Sequence, residues 1–250
     1  MDLKDFFAKY NKVAIAFSGG VDSSYLLYSA IKNNVDAMAY YVKSDFQPEF
    51  EFQDAINLAE ELNANMKILK IDVLDKEEIA TNPYDRCYYC KQEIFGTILK
   101  EAKKDGFDVL LDGTNYSDSY EDRPGMKAKE ELQVLSPLRE CKLTKENIRA
   151  LSKVADLPTW SKPSYSCLAT RVMTNTTISK EILLRTEKAE DYLRSKGFTD
   201  FRVRNISDGA KIQVLENELE KVLELRKDIL EELSKYYKNI VLDLEVRKGE

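Results

Sequence analysis

Residues 13–24 read Val13-Ala14-Ile15-Ala16-Phe17-Ser18-Gly19-Gly20-Val21-Asp22-Ser23-Ser24. An apolar run, Val13 to Phe17, feeds directly into a paired-glycine turn, and residues 22–33 beyond it carry helical periodicity. Glycine takes positive φ and brings no side chain to obstruct a ligand, so the N–H groups of such a turn and of the helix start can point at an anion. The expectation is a phosphate cradle; a tight strand-to-helix turn with serine caps is the plainer alternative. The loop lacks the Gly-Lys-Ser/Thr of a Walker A loop, which argues against an enzyme that grips a γ-phosphate.

On both sides of this loop the chain alternates short apolar runs with helical periods. Strands are predicted at 13–17, 37–42, 66–71 and 107–112, with helices at 22–33, 49–63 and 90–104 between them. That order predicts an α/β fold with a doubly wound parallel sheet, whose ligands gather beyond the carboxyl ends of the strands. Ser18 to Ser23, Tyr41 to Ser44 and Asp112 to Asn115 all fall at such ends. Thr144, with Asn147 three residues on, reads as the cap of a helix running to Ala155 before Pro158. Residues 158–177 are rich in Pro, Ser and Thr around Trp160 and Cys167 and suit an active-site loop better than a linker. A second block follows: helix 180–196, strand 201–206, a turn at Asp208-Gly209, strand 211–215, helix 217–235 and strand 239–246. It predicts a small C-terminal α+β domain over 178–250 beside a larger one over 1–177.

The 250 residues hold 38 Lys and Arg against 44 Asp and Glu, a net charge of -6, which argues against a default nucleic-acid surface. No stretch approaches the roughly 20 apolar residues that span a bilayer, and the opening Met1-Asp2-Leu3-Lys4-Asp5 is charged where a signal peptide turns apolar. A cytoplasmic protein is expected. There are no histidines, so a Ser-His-Asp hydrolase, an imidazole general base and a His-ligated zinc site are excluded.

Four cysteines remain for chemistry. Cys87-Tyr88-Tyr89-Cys90 sets two thiols three residues apart at a predicted helix start, and Cys167 in the irregular loop offers a third. Three thiolates suit an iron–sulfur cluster with one open iron, or a zinc site completed by another ligand; a redox pair and incidental thiols are the other readings of a lone Cys-x-x-Cys. Cys141 has no partner at ligand spacing and reads as structural or incidental.

Taken together, Ser18-Gly-Gly-Val-Asp-Ser23, Arg86-Cys-Tyr-Tyr-Cys-Lys91, Asp112-Gly-Thr-Asn115, Asp122-Arg-Pro-Gly125, Ser136-Pro-Leu138 and Ser166-Cys-Leu-Ala-Thr-Arg171 resemble the LarE family of the PP-loop ATP pyrophosphatase superfamily, over nearly the whole chain. The resemblance implies an adenine nucleotide alpha hydrolase-like PP-loop domain that cleaves ATP between its α and β phosphates. It implies adenylation of a carboxylate of pyridinium-3,5-dicarboxylate mononucleotide and replacement of oxygen by sulfur, on the way to the nickel-pincer nucleotide. One branch of the family sacrifices the sulfur of the cysteine matching Cys167. The other also carries the Cys-x-x-Cys pair and holds a [4Fe-4S] cluster on three cysteines; Cys87, Cys90 and Cys167 place this chain there by resemblance. ATP, Mg²⁺ and the cluster are the implied cofactors, and a homo-oligomer, a hexamer by resemblance, is the implied assembly, with neither nucleic acid nor membrane as partner.

Roles follow as expectations. Ser18, Gly19, Gly20, Asp22 and Ser23 hold the triphosphate, Asp22 facing Mg²⁺, with Ser18, Asp22 and Cys167 in the catalytic set. Arg171 meets a phosphate or the adenylate, or else makes an ordinary ion pair. Arg202 and Arg204 alternate on one strand, share a face, and match an arginine pair that binds the nucleotide phosphate in the family. Asp118, Asp122 and Arg123 line the substrate crevice or form a solvated acidic loop. The chain departs from the family at Asn205-Ile-Ser-Asp-Gly209, where a histidine and glycine are common. A [4Fe-4S] tRNA thiolase and an ammonia-using amide synthetase of the same superfamily are the rival readings, followed by a non-catalytic nucleotide-binding protein.

Overall fold

The structure, a computed structural model, describes residues 1–118 and 124–248. Asp122 and Arg123 therefore lie outside the described residues. The chain divides into two compact units, residues 1–73 with 85–162 and residues 74–84 with 163–250. In chain order the elements are α1 (Leu3–Phe7), β1 (Lys12–Ala16), α2 (Val21–Lys32), β2 (Asp36–Lys43), α3 (Glu49–Glu61), β3 (Asn65–Lys70), α4 (Glu77–Ala80), α5 (Arg86–Lys104), β4 (Leu110–Leu111), α6 (Pro124–Glu131), α7 (Pro137–Glu140) and α8 (Lys145–Val154). They continue with α9 (Lys180–Ser195), β5 (Arg202–Ile206), β6 (Gly209–Gln213), α10 (Leu219–Glu224), α11 (Arg226–Leu233) and β7 (Asn239–Leu242).

In the first unit the described strands form a parallel sheet in the order β3-β2-β1-β4. Successive side chains of a strand point to opposite faces. Val13 and Ile15 join Ala37, Ala39 and Tyr41 in one core, with α2, α3 and α8 supplying Leu26, Leu27, Ala55, Leu58 and Ile148. Ala14, Tyr40 and Val42 face the other way, into a core with Phe95, Ile98 and Ala102 of α5. Both faces are apolar because both are covered, as a parallel sheet requires. The doubly wound α/β reading of the sequence holds.

The second unit packs α9 and α11 on a three-stranded sheet ordered β5-β6-β7, the first pair antiparallel and the second parallel. Its core gathers Leu193, Phe198, Phe201, Val203, Ile212, Val222, Ile229 and Leu233. Residues 74–84 belong to it through backbone and side-chain bonds: Ile178 N–H donates to the Ala80 carbonyl at 2.7 Å, and Asn82 Nδ2 to the Met173 carbonyl at 2.8 Å.

Several boundaries differ from the sequence reading: the strand predicted over 107–112 forms only at Leu110–Leu111, and the one predicted over 211–215 runs Gly209–Gln213. The helix predicted over 90–104 begins at Arg86, so Cys87 and Cys90 sit within its first two turns. The helix predicted over 217–235 is broken at Leu225, which ends α10 and precedes α11 with ψ near 8°. The strand predicted over 239–246 is regular only over Asn239–Leu242, after which Asp243 N–H bonds the Ile212 carbonyl and Arg247 makes an isolated bridge to Leu215.

Candidate active site

In the first unit three loops meet at the carboxyl ends of β1 and β4. The first is Ser18 to Ser24. Gly19 has φ of 73°, and a Cβ there would lie 2.8 Å from Ala55 Cβ on α3, so both conformation and space demand glycine. Gly20 occupies the cap position of α2 and has no side chain to bond the first turn; its own N–H donates to Ser18 Oγ at 3.4 Å. Ser23 Oγ donates to the Gly20 carbonyl and accepts from Ser18 N–H at 3.2 Å each, and Ser24 Oγ donates to the same carbonyl at 2.7 Å. The serines thus fold the loop back on itself and leave the positive end of α2 uncapped, which is the arrangement an anion finds favourable.

The second loop, Asp112 to Asp118, lies against the first at Gly113. A Cβ on Gly113 would sit 2.9 Å from Ser23 N. A buried polar knot holds it there. Lys129 Nζ donates to Thr114 Oγ1 at 2.7 Å and to Ser136 Oγ at 2.6 Å, and pairs with Asp112 Oδ2 at 3.1 Å; Ser136 Oγ donates to Asp112 Oδ1 at 2.7 Å. Burial lowers the Lys129 pKa and Asp112 opposes the shift. All three ammonium protons have partners, the condition under which a buried lysine is tolerable. Arg139 Nη1 donates to the Asp118 carbonyl at 2.7 Å, bracing the far end of the same loop. The motif Ser136-Pro-Leu138 and its neighbour Arg139 therefore serve the loop's shape.

The third loop is the start of α8. Its Thr144–Asn147 capping box forms as read from the sequence, and Lys145 N–H donates to Ser117 Oγ at 3.0 Å. The Lys145 ammonium reaches Asp22 Oδ2 at 2.6 Å, and Asn115 Nδ2 approaches Asp22 Oδ1 at 3.4 Å. Burial raises the Asp22 pKa, with Lys145 acting against it. A half-buried carboxylate at a helix start suits Mg²⁺ carried by a nucleotide, provided that Lys145 gives it up. Sequence reading missed Lys145. One signal was present: a lysine in the first turn of a helix runs against the macrodipole, so a nearby anion or carboxylate has to justify it.

All four cysteines are thiols rather than disulfides. Cys87 is exposed and Cys90 half-buried, one turn apart on α5, and Arg86 Nη2 lies 3.7 Å from Cys87 Sγ. Cys141 is partly buried against the first core, and burial pushes its thiol up, in keeping with a structural role. Among the described residues no three of His, Cys, Asp and Glu are gathered to hold a metal ion. Cys87 and Cys90 belong to the first unit and Cys167 to the second.

Within the second unit, Cys167 precedes a short helical turn, Leu168–Arg171. Arg171, offered above to a phosphate, is buried and committed elsewhere. Its Nε and Nη2 meet the two oxygens of Glu190 at 2.8 and 3.1 Å, and its Nη1 donates to the Ser166 carbonyl at 2.9 Å and to Thr170 Oγ1 at 2.8 Å. Glu190 also accepts from Tyr165 Oη at 2.6 Å and from Val203 N–H at 2.9 Å. Arg202 is buried too, giving Nη2 to the Ser164 carbonyl at 2.8 Å and Nη1 to the Phe201 carbonyl at 2.6 Å. Burial, Arg171 and Arg247 lower its pKa, though a guanidinium keeps its proton at any physiological pH. Arg204, half-buried, donates Nη1 to the Thr170 carbonyl at 2.9 Å and Nε to Gln213 Oε1. Arg204 pairs in register with Lys211, whose ammonium meets Asp243 at 2.6 Å. Arginines of β5 and of the loop thus draw the backbone on both sides of Cys167 onto the sheet.

No family model matches the chain. An uncharacterized protein of Methanocaldococcus jannaschii is 35% identical over 250 residues, 99% of this chain and 95% of that protein. The pyridinium-3,5-bisthiocarboxylic acid mononucleotide synthase of Lactiplantibacillus plantarum is 34% identical over 209 residues, 82% of this chain and 75% of that enzyme. The chain belongs to the LarE family. A LarE chain is an ATP-dependent sulfur transferase. A shorter match, 28% identity over 127 residues and 41% of this chain, reaches the tRNA-specific 2-thiouridylase of Pseudothermotoga lettingae, which shares the PP-loop fold. Among the described residues no helix is long and apolar enough to cross a membrane.

Proposed function

We propose that this protein adenylates a carboxylate of pyridinium-3,5-dicarboxylate mononucleotide and exchanges its oxygen for sulfur, a step toward the nickel-pincer nucleotide. The observation that supports it most is the meeting of Gly19-Gly20, Asp22, Asn115 and Lys145 around one uncapped helix end in a chain of this family.

A carboxylate is a poor electrophile because its oxygen would leave as oxide. Attack of that oxygen on the α-phosphorus of ATP forms a new P–O bond as the bond to pyrophosphate breaks. The acyl-adenylate then yields to sulfur: a C–S bond forms and AMP departs with the original carboxylate oxygen. The chain's part in the first step is electrostatic. The α2 N-terminus and the loop N–H groups bind phosphate oxygens, Asp22 holds the cation that accompanies ATP, and Gly113 lets the Asp112 loop close against Ser23.

For the second step Cys167 is the sulfur-handling residue, and Cys87, Cys90 and Cys167 are the thiols that would hold a [4Fe-4S] cluster. Such a cluster would supply iron-bound sulfide, deprotonated at neutral pH. The Arg171–Glu190 pair fixes the loop that carries Cys167, and of the arginine pair Arg202 and Arg204 it is the half-buried Arg204 that offers positive charge to the mononucleotide phosphate. Cytoplasmic residence and assembly as a homo-oligomer complete the reading.

Anaerobically prepared protein given ATP and the mononucleotide should release AMP and pyrophosphate in step with thiocarboxylate. About four irons per chain, lost in Cys87→Ala, Cys90→Ala and Cys167→Ala alike, supports the three-thiolate cluster. Iron-free protein that still transfers one sulfur would make Cys167 a sacrificial donor. Absence of pyrophosphate release with every carboxylate tried would overturn the adenylation reading.

A further inference from the structure

Four of the sequence motifs are joined by one short helix. α6 is eight residues long, about 12 Å at the usual rise, and it binds two parts of the first unit at once. Lys129 is tied into the Asp112 loop through Thr114, Ser136 and Asp112 itself. One turn earlier Gly125 lies on the stem of Lys91, the residue after Cys90; a Cβ on Gly125 would be 2.6 Å from Lys91 Cδ. Lys127 and Glu131, a turn apart on the neighbouring face, take hold of Tyr88, which stands between the two cysteines of α5. Tyr88 Oη donates to Glu131 Oε2 at 2.7 Å, and the Lys127 ammonium lies 5.5 Å from the centre of the Tyr88 ring. Gln92, one turn along α5 from Tyr88, donates to the same Glu131 oxygen. Asp85 gives the start of α5 no side-chain cap, so the turn bearing Cys87 and Cys90 leans on what packs against it.

From this we infer that α6 is a strut through which the nucleotide site governs how open the cysteine-bearing turn is, with Glu131 and Lys127 the positioning residues that pass the constraint to Tyr88. The inference rests on the reading that the Ser18 to Ser23 loop binds ATP. The Asp112 loop lies so close to Ser23 that Gly113 has no room for a Cβ, so a nucleotide that firms the first loop bears on the second. The second loop is bound to Lys129. Lys129 and Glu131 are two residues apart in one helix, too close for one to be fixed while the other drifts. ATP therefore lowers the population in which the start of α5 frays and presents Cys87 and Cys90 to solute. Linkage makes the effect mutual: whatever holds the two thiols in the closed turn tightens ATP by the same factor. The consequence for the reaction is an order of events, with the thiol pair most accessible before ATP arrives and closed once it has bound.

The test follows alkylation of each cysteine by iodoacetamide, read by peptide mass spectrometry, on the whole reduced and iron-free protein with and without Mg²⁺ and a non-hydrolysable ATP analogue. In wild type, saturating analogue should slow Cys87 and Cys90 by about fivefold, the low end of ordinary coupling between sites. Cys141, which packs against the other core of this unit, should be unaffected and serves as the internal reference. Glu131→Ala releases Tyr88 and Gln92 together, while Tyr88→Phe keeps the ring and drops only the hydroxyl. Both should still bind the analogue, measured by calorimetry, yet alkylate fast whether or not it is present. Glu131→Gln retains an acceptor for the Tyr88 hydroxyl and should keep most of the protection. Equal protection in wild type, Glu131→Ala and Tyr88→Phe, as direct shielding by the nucleotide would give, overturns the inference. So does wild type that binds the analogue without protecting either cysteine. Wild type that fails to bind the analogue at all would overturn instead the nucleotide reading beneath it.

Discussion

Arg171 and Glu190 form a bidentate ion pair with both side chains essentially excluded from solvent, Nε to Oε1 at 2.8 Å and Nη2 to Oε2 at 3.1 Å. The remaining guanidinium nitrogen binds the Ser166 and Thr170 oxygens, while the glutamate also binds Tyr165 and the β5 backbone. One buried pair therefore ties α9, β5 and the turn that carries Cys167. Its value lies in geometry more than in net stability, since desolvation offsets much of the attraction between buried ions.

Removing one partner strands the other. Glu190→Ala should destabilise the protein by ~3–5 kcal/mol, the cost of a buried uncompensated charge, read as a drop in the denaturant midpoint. Arg171→Lys keeps the charge but loses the two-pronged fork. It should cost less stability yet loosen the loop, so that alkylation of Cys167 under native conditions speeds up several-fold. Equal Cys167 reactivity in wild type and Arg171→Lys would refute the positioning role.

Asp22 makes a prediction about pH. Its folded pKa is raised above the ordinary 3.8, chiefly by burial, so folding favours its protonated form. Between 3.8 and the raised value the folded state binds the extra proton, and stability falls as pH rises through that window. Above it the ionised carboxylate is a standing cost. Asp22→Asn should therefore melt higher than wild type at pH 7, with the difference shrinking on acidification toward pH ~4. The same variant should lose Mg²⁺-dependent ATP binding. A melting temperature lowered at pH 7 would show that the Lys145 pair outweighs the burial cost.

How much of this was legible in the sequence depends on distance along the chain. The PP-loop announces itself because strand, paired glycines and helix are contiguous, and the crevice follows because parallel strands all end on one side. The Thr144–Asn147 cap is likewise local. What the sequence hid are pairings of residues far apart: Lys145 with Asp22, 123 positions away, Lys129 with Ser136 across a helix end, and Arg171 with Glu190, 19 positions on. An arginine four residues after a cysteine reads equally as a phosphate ligand or an ion-pair partner until the fold brings a glutamate beneath it. The break at Leu225 had no glycine or proline to mark it.

Lys129 tests whether the Asp112 loop is held by its buried knot. Lys129→Met removes three donors from Thr114, Ser136 and Asp112 at once and leaves the carboxylate buried without its counter-charge. A loss of ~3–5 kcal/mol is expected. Ser136→Ala removes two links, to Lys129 and to Asp112, but strands no charge and should cost ~1–3 kcal/mol. Both should weaken ATP binding in proportion to loop disorder, measurable as faster amide exchange at residues 112–118. Full ATP affinity in Lys129→Met would mean the loop needs no such support.

The glycines give the sharpest contrast, because the same substitution should act in opposite directions at two positions. At Gly113 an added methyl would lie 2.9 Å from Ser23 N and 3.2 Å from Ser23 Cα, backbone atoms of a helix that cannot yield cheaply. Gly113→Ala must push the Asp112 loop away from the PP-loop, costing ~1–3 kcal/mol as overpacking does. ATP affinity should fall tenfold or more. At Gly96, inside α5, the same methyl meets nothing within 4 Å. There, helix propensity and the reduced freedom of the unfolded chain act alone, so Gly96→Ala should stabilise by ~0.5–1 kcal/mol with ATP binding unchanged. Denaturant titration and ATP calorimetry on the two variants decide it. If Gly113→Ala matched Gly96→Ala in both readouts, the close approach of the two loops would not be needed for binding.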